Sequence, residues 1–280
     1  MGIFSGLESF GLSKLKDVDI YEKQSKDEKL KKEKEEKPKV READILFDKT
    51  YTCPVCDNEF KAKTVRTGKV KLMSADTDLR PKYQLVDALK YDAIVCPKCG
   101  YAALNRFFTY MTSGQSKLIR EQISANFKGM NDKGDFYSYD DAIARHKLAL
   151  LNTVVKHGKT SERAYTCLKL AWMCRGKAEN LPKDAKDREK SLEKLKKEED
   201  EFIKNAYEGF SAAFMKEQFP ICGMDENTAT YLVADLARRS GNYEEANRFI
   251  SRVITSRQAS ERIKAKAREL KDIMKENESN

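Results

Sequence analysis

Cys53-Pro54-Val55-Cys56 and Cys96-Pro97-Lys98-Cys99-Gly100 are the two stretches on which the reading of this chain turns. Two cysteines separated by two residues bend the backbone into a knuckle, in which turn amides point at the sulfurs and stabilise their negative charge. Proline presets φ for that turn, and Gly100 supplies the permissive backbone that follows the second pair. Asp57 takes that place after the first pair, and aspartate tolerates the left-handed region better than most residues. Two knuckles complete a tetrahedral all-sulfur shell with no open position. Cys53, Cys56, Cys96 and Cys99 are therefore expected to bind one structural Zn2+. A thiol-redox pair is the rival reading of a single such motif, and two matched knuckles favour the metal. The pairs are separated by 39 residues, where a compact ribbon commonly uses about 15–20. An elaborated loop or extra strands should fill that interval, around Asp76 to Lys90.

Outward from the cysteines the sequence reads as short β-like pieces. Ile45-Leu46-Phe47 leads into the first pair, Phe60 to Leu72 contains alternating segments, and Tyr91-Asp92-Ala93-Ile94-Val95 leads into the second. Lys61, Lys63, Lys69 and Lys71 share one parity, so on an extended strand they would line one face. After Cys99 a helix is expected, with Leu104, Phe107, Phe108 and Met111 as its apolar stripe. Beyond Gly114 the chain reads as paired helices separated by Gly, Asn or Pro.

Tyr139-Asp140-Asp141-Ala142 recurs as Tyr243-Glu244-Glu245-Ala246, 104 residues later, close to three tetratricopeptide periods of about 34. Gly241 stands before the second copy, and Ile250 lies four residues after its alanine. The pattern suits close packing: alanine where two helices touch, an aromatic beside the turn, glycine where the backbone reverses. Residues 161–178 suit a helix buried on two faces. A longer one over 187–217 places Phe202, Ile203, Ala206, Tyr207, Phe210 and Phe214 at core spacing, and its charged first half should protrude as a polar arm.

The fold class expected is α+β, mostly α. A zinc-ribbon-like β domain spans 44–112 and a tetratricopeptide-like α-helical domain spans 113–280. Residues 1–43 precede them as an amphipathic segment with Ile3, Phe4, Leu7 and Phe10 at helical spacing, then a linker dominated by Glu and Lys over 22–39.

Composition sets outer bounds. The chain has 280 residues, 40% hydrophobic and 35% charged, with a formal net charge of +9. Residues 51–110 carry +4 of it and residues 111–160 carry +3, and a four-thiolate zinc site with about two negative charges offsets part of the surplus around the cysteines, so the pull toward nucleic acid is modest. No run approaches the roughly 18 apolar residues that span a bilayer, which points to a cytoplasmic protein whose thiols serve metals or packing. Cys167 and Cys174 read as core thiols, and Cys222 takes no role. His146 and His157 lack metal or catalytic company and read as packing or surface residues. Asp76 and Asp78 read as solvated loop residues. No phosphate-binding glycine loop, nucleophile elbow or dinucleotide fingerprint is present, so no enzymatic activity is expected.

The opening Met1-Gly2-Ile3-Phe4-Ser5-Gly6-Leu7, the string Tyr51-Thr52-Cys53-Pro54-Val55-Cys56 with Phe60 and the basic stretch Lys61 to Lys71, and the knuckle Val95 to Ala102 resemble the bacterial family catalogued as domain of unknown function 2225. The resemblance covers most of the chain and is most specific between Thr50 and Phe108. It implies a cytoplasmic bacterial protein with a zinc-ribbon-like part and tetratricopeptide-like helices, and it transfers no catalytic residues. The leading functional expectation is a non-enzymatic adaptor whose helical repeats receive a protein or peptide. The alternatives are a nucleic-acid binder using Lys61, Lys63, Lys69 and Lys71, and a redox sensor that releases zinc when its thiolates oxidise.

Overall fold

Each cysteine pair closes a hairpin. A computed structural model describes residues 41–130 and 134–278 of the chain. The amphipathic segment with Ile3, Phe4, Leu7 and Phe10 and the Glu/Lys run over 22–39 lie outside the described residues. A short helix α1 (Glu42–Ile45) enters strand β1 (Leu46–Thr52), which pairs antiparallel with β2 (Glu59–Val65) in a register running from Leu46↔Val65 to Thr52↔Glu59. The first knuckle is the turn between them. β5 (Ala93–Val95) and β6 (Ala102–Leu104) repeat the arrangement around the second knuckle, with Val95 opposite Ala102. Between the two hairpins, β3 (Leu72–Ala75) and β4 (Pro81–Tyr83) form a third, whose tip spans Asp76 to Arg80.

The rest is helical: α2 (Ser113–Ile119), α3 (Tyr139–Val155), α4 (Thr160–Glu179), α5 (Arg188–Lys216), α6 (Glu226–Arg239), α7 (Tyr243–Thr255) and α8 (Glu261–Glu278). Small antiparallel sheets thus precede a helical body, as the mostly-α α+β expectation requires. Successive helices from α3 onward pack on one another, and α3 also lies against β5 and β6. None of the described helices is long and apolar enough to cross a membrane.

Local chemistry explains the element ends. Ser138 opens α3 with a capping box, accepting from the Asp141 amide at 3.1 Å while Asp141 accepts from the Ser138 amide at 2.9 Å. Asp225 caps α6 by accepting from the Thr228 amide at 2.9 Å. The first residue of α4 follows Lys159, which offers no side-chain cap. Glu217 takes that office from a distant segment, its carboxylate accepting from the Ser161 amide at 2.9 Å and the Ser161 hydroxyl at 2.5 Å. The echoed tetrapeptides do open helices, α3 and α7, and both Ala142 and Ala246 are fully buried. α4 and α5 approach closely where Gly209 meets Ala164; a β-carbon at 209 would stand 2.8 Å from that of Ala164.

α4 is buried nearly all round, with Leu168, Leu170, Ala171, Met173 and Cys174 entirely removed from solvent. Ile203, Ala206 and Phe210 of α5 fill the same core.

Four local expectations change. The residues after Cys99 form β6 and a single 3-10 turn over Asn105–Phe107 rather than a helix, because Ala102, Ala103 and Leu104 complete the second hairpin. The four lysines do not share a strand face: β2 ends at Val65, and Lys69 closes a 3-10 turn over Thr67–Lys69. The charged first half of α5 does not protrude. Leu195 is buried, Glu199 pairs with Arg175 of α4 at 2.7 Å, and Glu198 pairs with Lys147 of α3 at 3.1 Å. Opposite charges on neighbouring helices let a polar sequence pack. The fourth concerns Asp76 and Asp78, described with the site below.

Candidate metal centre

The two knuckles fold by the same hydrogen bonds. The Asp57 amide donates to the Cys53 carbonyl and the Gly100 amide to the Cys96 carbonyl, each at 3.0 Å. Both following residues are left-handed, Asp57 at φ 57° and Gly100 at φ 74°. Gly100 is needed twice over, since a β-carbon there would also lie 2.6 Å from the Phe127 ring.

Cys53, Cys56, Cys96 and Cys99 bring their sulfurs within 4.8 Å of one another. Cys53 and Cys99 stand 3.5 Å apart, Cys56 and Cys96 3.7 Å apart. A tetrahedral ion with metal–sulfur bonds of about 2.3 Å needs sulfurs about 3.8 Å apart, close to the two shortest separations in the cluster. The same separations are far beyond a disulfide bond of about 2.05 Å. Three of the cysteines are buried and Cys56 is half-buried. The four can therefore hold a metal ion, with all four positions supplied by the chain.

The shared hydrogen bonds split the thiols, with Cys96 favouring charge and Cys53 and Cys99 opposing it. Hydrogen bonds from Cys53 and Cys99, then from the Cys99 and Lys98 amides, pull the Cys96 thiol far below its ordinary value. Cys53 is pushed up by the same sharing, chiefly against Cys96. A divalent cation replaces the shared protons in such a cluster.

Behind the ligands lies an aromatic wall. Phe108 meets Tyr51 at 5.6 Å, Phe60 at 6.0 Å and Tyr101 at 5.1 Å between ring centroids. The Tyr101 hydroxyl donates to the Phe108 carbonyl at 3.0 Å. Two polar side chains grip the knuckle carbonyls from outside. Arg120 donates to Val55 through Nε at 2.8 Å and Nη2 at 2.6 Å, and Asn152 of α3 donates to Gly100 at 3.1 Å. Neither was legible locally, since their partners lie 65 and 52 residues away.

The interval between the knuckles carries a second buried assembly. Asp78, expected in a solvated loop, has no exposure at all. The β3–β4 tip drives it between α4 and α6, where Arg175 donates to both its oxygens at 3.1 and 2.7 Å and the Trp172 indole donates at 3.0 Å. Arg175 also reaches Asp76 at 3.0 Å. On the α6 side, Thr77 donates to Asp235 at 2.9 Å and accepts from Arg239 at 2.9 Å. Burial alone would raise the Asp78 pKa. Its bonds to Arg175, helped by the charge of Arg239 and by Trp172, bring it below the ordinary carboxylate value instead.

The remaining candidates stay apart from the cysteines. Cys167 and Cys174 are core thiols, pushed up by burial to about 11 and about 12. His146 is fully buried, and its Nδ1 lies 2.7 Å from the Ala142 carbonyl, which can only accept. Burial holds the His146 pKa down at about 4. His157 is exposed in the turn after α3, at φ 51°. Cys222, with no role in the sequence reading, donates to the Ser161 carbonyl at 3.3 Å.

Residues 46–274 match the model of a family described as an uncharacterized protein conserved in bacteria, DUF2225. No curated protein and no solved structure matches the chain.

Proposed function

The chain belongs to the DUF2225 family, and we propose that within it this protein is a non-enzymatic scaffold, stapled by one zinc ion and receiving a protein partner on its helices. The closure of the metal centre carries the reading. Four cysteines take all four positions of a tetrahedral ion, leaving none for substrate or activated water. An all-sulfur tetrahedral set suits zinc, and two knuckles at the turns of two hairpins are the arrangement of a zinc ribbon. The helical body supplies the binding surface in this reading. Its tetratricopeptide-like echo, with Ala142 and Ala246 both buried at the starts of their helices, supports a degenerate repeat stack.

Two measurements test it. Metal analysis of the purified full-length chain should give one zinc per chain, and none in Cys96→Ser. Crosslinking in the native cell followed by mass spectrometry should place partner contacts within residues 115–275. Contacts scattered elsewhere, or none, would sink the adaptor role while leaving the zinc assignment standing.

A further inference from the structure

A cleft of about 540 Å³ opens where three segments meet: the chain after β6, the α3–α4 turn and the α5–α6 connection. Its size lies within the roughly 300–1,000 Å³ of small-molecule sites, which favour such junctions. The metal centre and the Asp78 assembly contribute nothing to its lining.

The charges in the cleft are unequally committed. Glu162 is paired with buried Lys156 at 2.7 Å, and Glu217 is held by the amide and hydroxyl of Ser161. Arg106 and Lys159 form no ion pair among the described residues, and both line the cleft. Arg106 is held in place without being neutralised. It donates to the Cys222 carbonyl, and its guanidinium lies 5.3 Å from the Tyr165 ring and 5.7 Å from that of Phe107. Three cations against two carboxylates leave one net positive charge, which suits a monoanion; a dianion would meet Glu217. Phe107 and Tyr110 add apolar wall, and Ile221 borders the cleft while almost fully buried.

We propose that this cleft binds a small organic carboxylate, its charge taken by Arg106 and Lys159 and its apolar body by Phe107 and Tyr110. Arg106 offers a planar fork to the two oxygens and Lys159 a point charge from another segment of the same lining.

Phenylacetate is a suitable probe, titrated into full-length, zinc-loaded protein carrying 13C-labelled isoleucine methyls. The Ile221 methyl should shift saturably while that of Ile250, in the C-terminal helical core, stays fixed. Phenylacetamide, which keeps the shape and loses the charge, should bind at least about tenfold more weakly. Lys159→Ala and Arg106→Gln should each weaken phenylacetate by at least about fivefold, with Ile250 confirming an intact fold. The assignment is overturned if the amide binds as well as the acid, if Ile250 moves with Ile221, if no saturable shift occurs, or if either folded variant binds like wild type.

Discussion

Arg175 of α4 and Asp78 of the β3–β4 tip form a bidentate pair across 97 residues of sequence, with Nη2 2.7 Å from Oδ2 and Nη1 3.1 Å from Oδ1. The carboxylate has no exposure, and Arg175 is simultaneously paired with Glu199 of α5. One guanidinium therefore joins the inter-knuckle hairpin to two helices. Removing it takes the bidentate partner from buried Asp78, leaving Arg239 at 3.8 Å, and costs about 3–5 kcal/mol. Arg175→Ala should lose that much in urea unfolding. An Arg175→Ala protein within 1 kcal/mol of wild type would show the pair to be dispensable.

Acid should weaken the protein in two stages. His146 has its pKa held at about 4 in the folded chain, against about 6.5 when unfolded. Above the unfolded value both states are neutral and nothing is lost. As pH falls from there toward 4, the unfolded chain takes up a proton that the folded chain refuses, so stability drops by about 2 kcal/mol between pH 7 and pH 5. Asp78 acts lower, its depressed pKa giving stability that is present above about pH 4 and lost as pH falls further. Urea titrations at pH 7 and 5 on wild type and His146→Gln measure the first stage, and the variant should lack it.

The carbonyl grips predict a graded effect on metal. Asn152→Ala and Arg120→Ala leave all four sulfurs in place but free the Gly100 and Val55 carbonyls. Outer supports of this kind are worth about 10–100-fold in metal affinity. Competition with a chromogenic chelator should show that loss for both variants, no loss for Cys167→Ser, and no retained zinc for Cys96→Ser.

Phe108, fully buried and touching three other rings, is the aromatic on which the hairpins rest. Phe108→Ala should cost about 3–5 kcal/mol, read as a large fall in thermal midpoint of the zinc-loaded protein. A cost under about 1 kcal/mol would mean that the hairpins hold together without this wall.

Legibility in the sequence followed the range of the interactions. A knuckle is decided within five residues, so Cys53 to Asp57 and Cys96 to Gly100 could be read directly. The helices α4 and α5 came from apolar spacing, itself a local signal, and α7 from the repeated tetrapeptide. Asp78 was misread because its partners, Trp172 and Arg175, are 94 and 97 residues away, and an aspartate beside Thr77 in a polar stretch looks the same whether buried or solvated. The front of α5 was misread for a related reason. Its glutamates are neutralised by Lys147 and Arg175 on other helices, and no spacing within α5 reveals that. The lysine face failed through an assumed continuity of strand past Thr67, where a 3-10 turn intervenes.

The β3–β4 tip also fixes an order of events during synthesis. Both knuckles have been made once Cys99 is added, so the metal can be captured and the inter-knuckle loop closed early. Arg175 and Arg239 are still to come at that moment, as are the helices that bury Asp78. A ribosome releasing residues in sequence thus delivers the four cysteines and a tip whose carboxylate is still unmatched, open toward solvent until α4 and α6 arrive to enclose it.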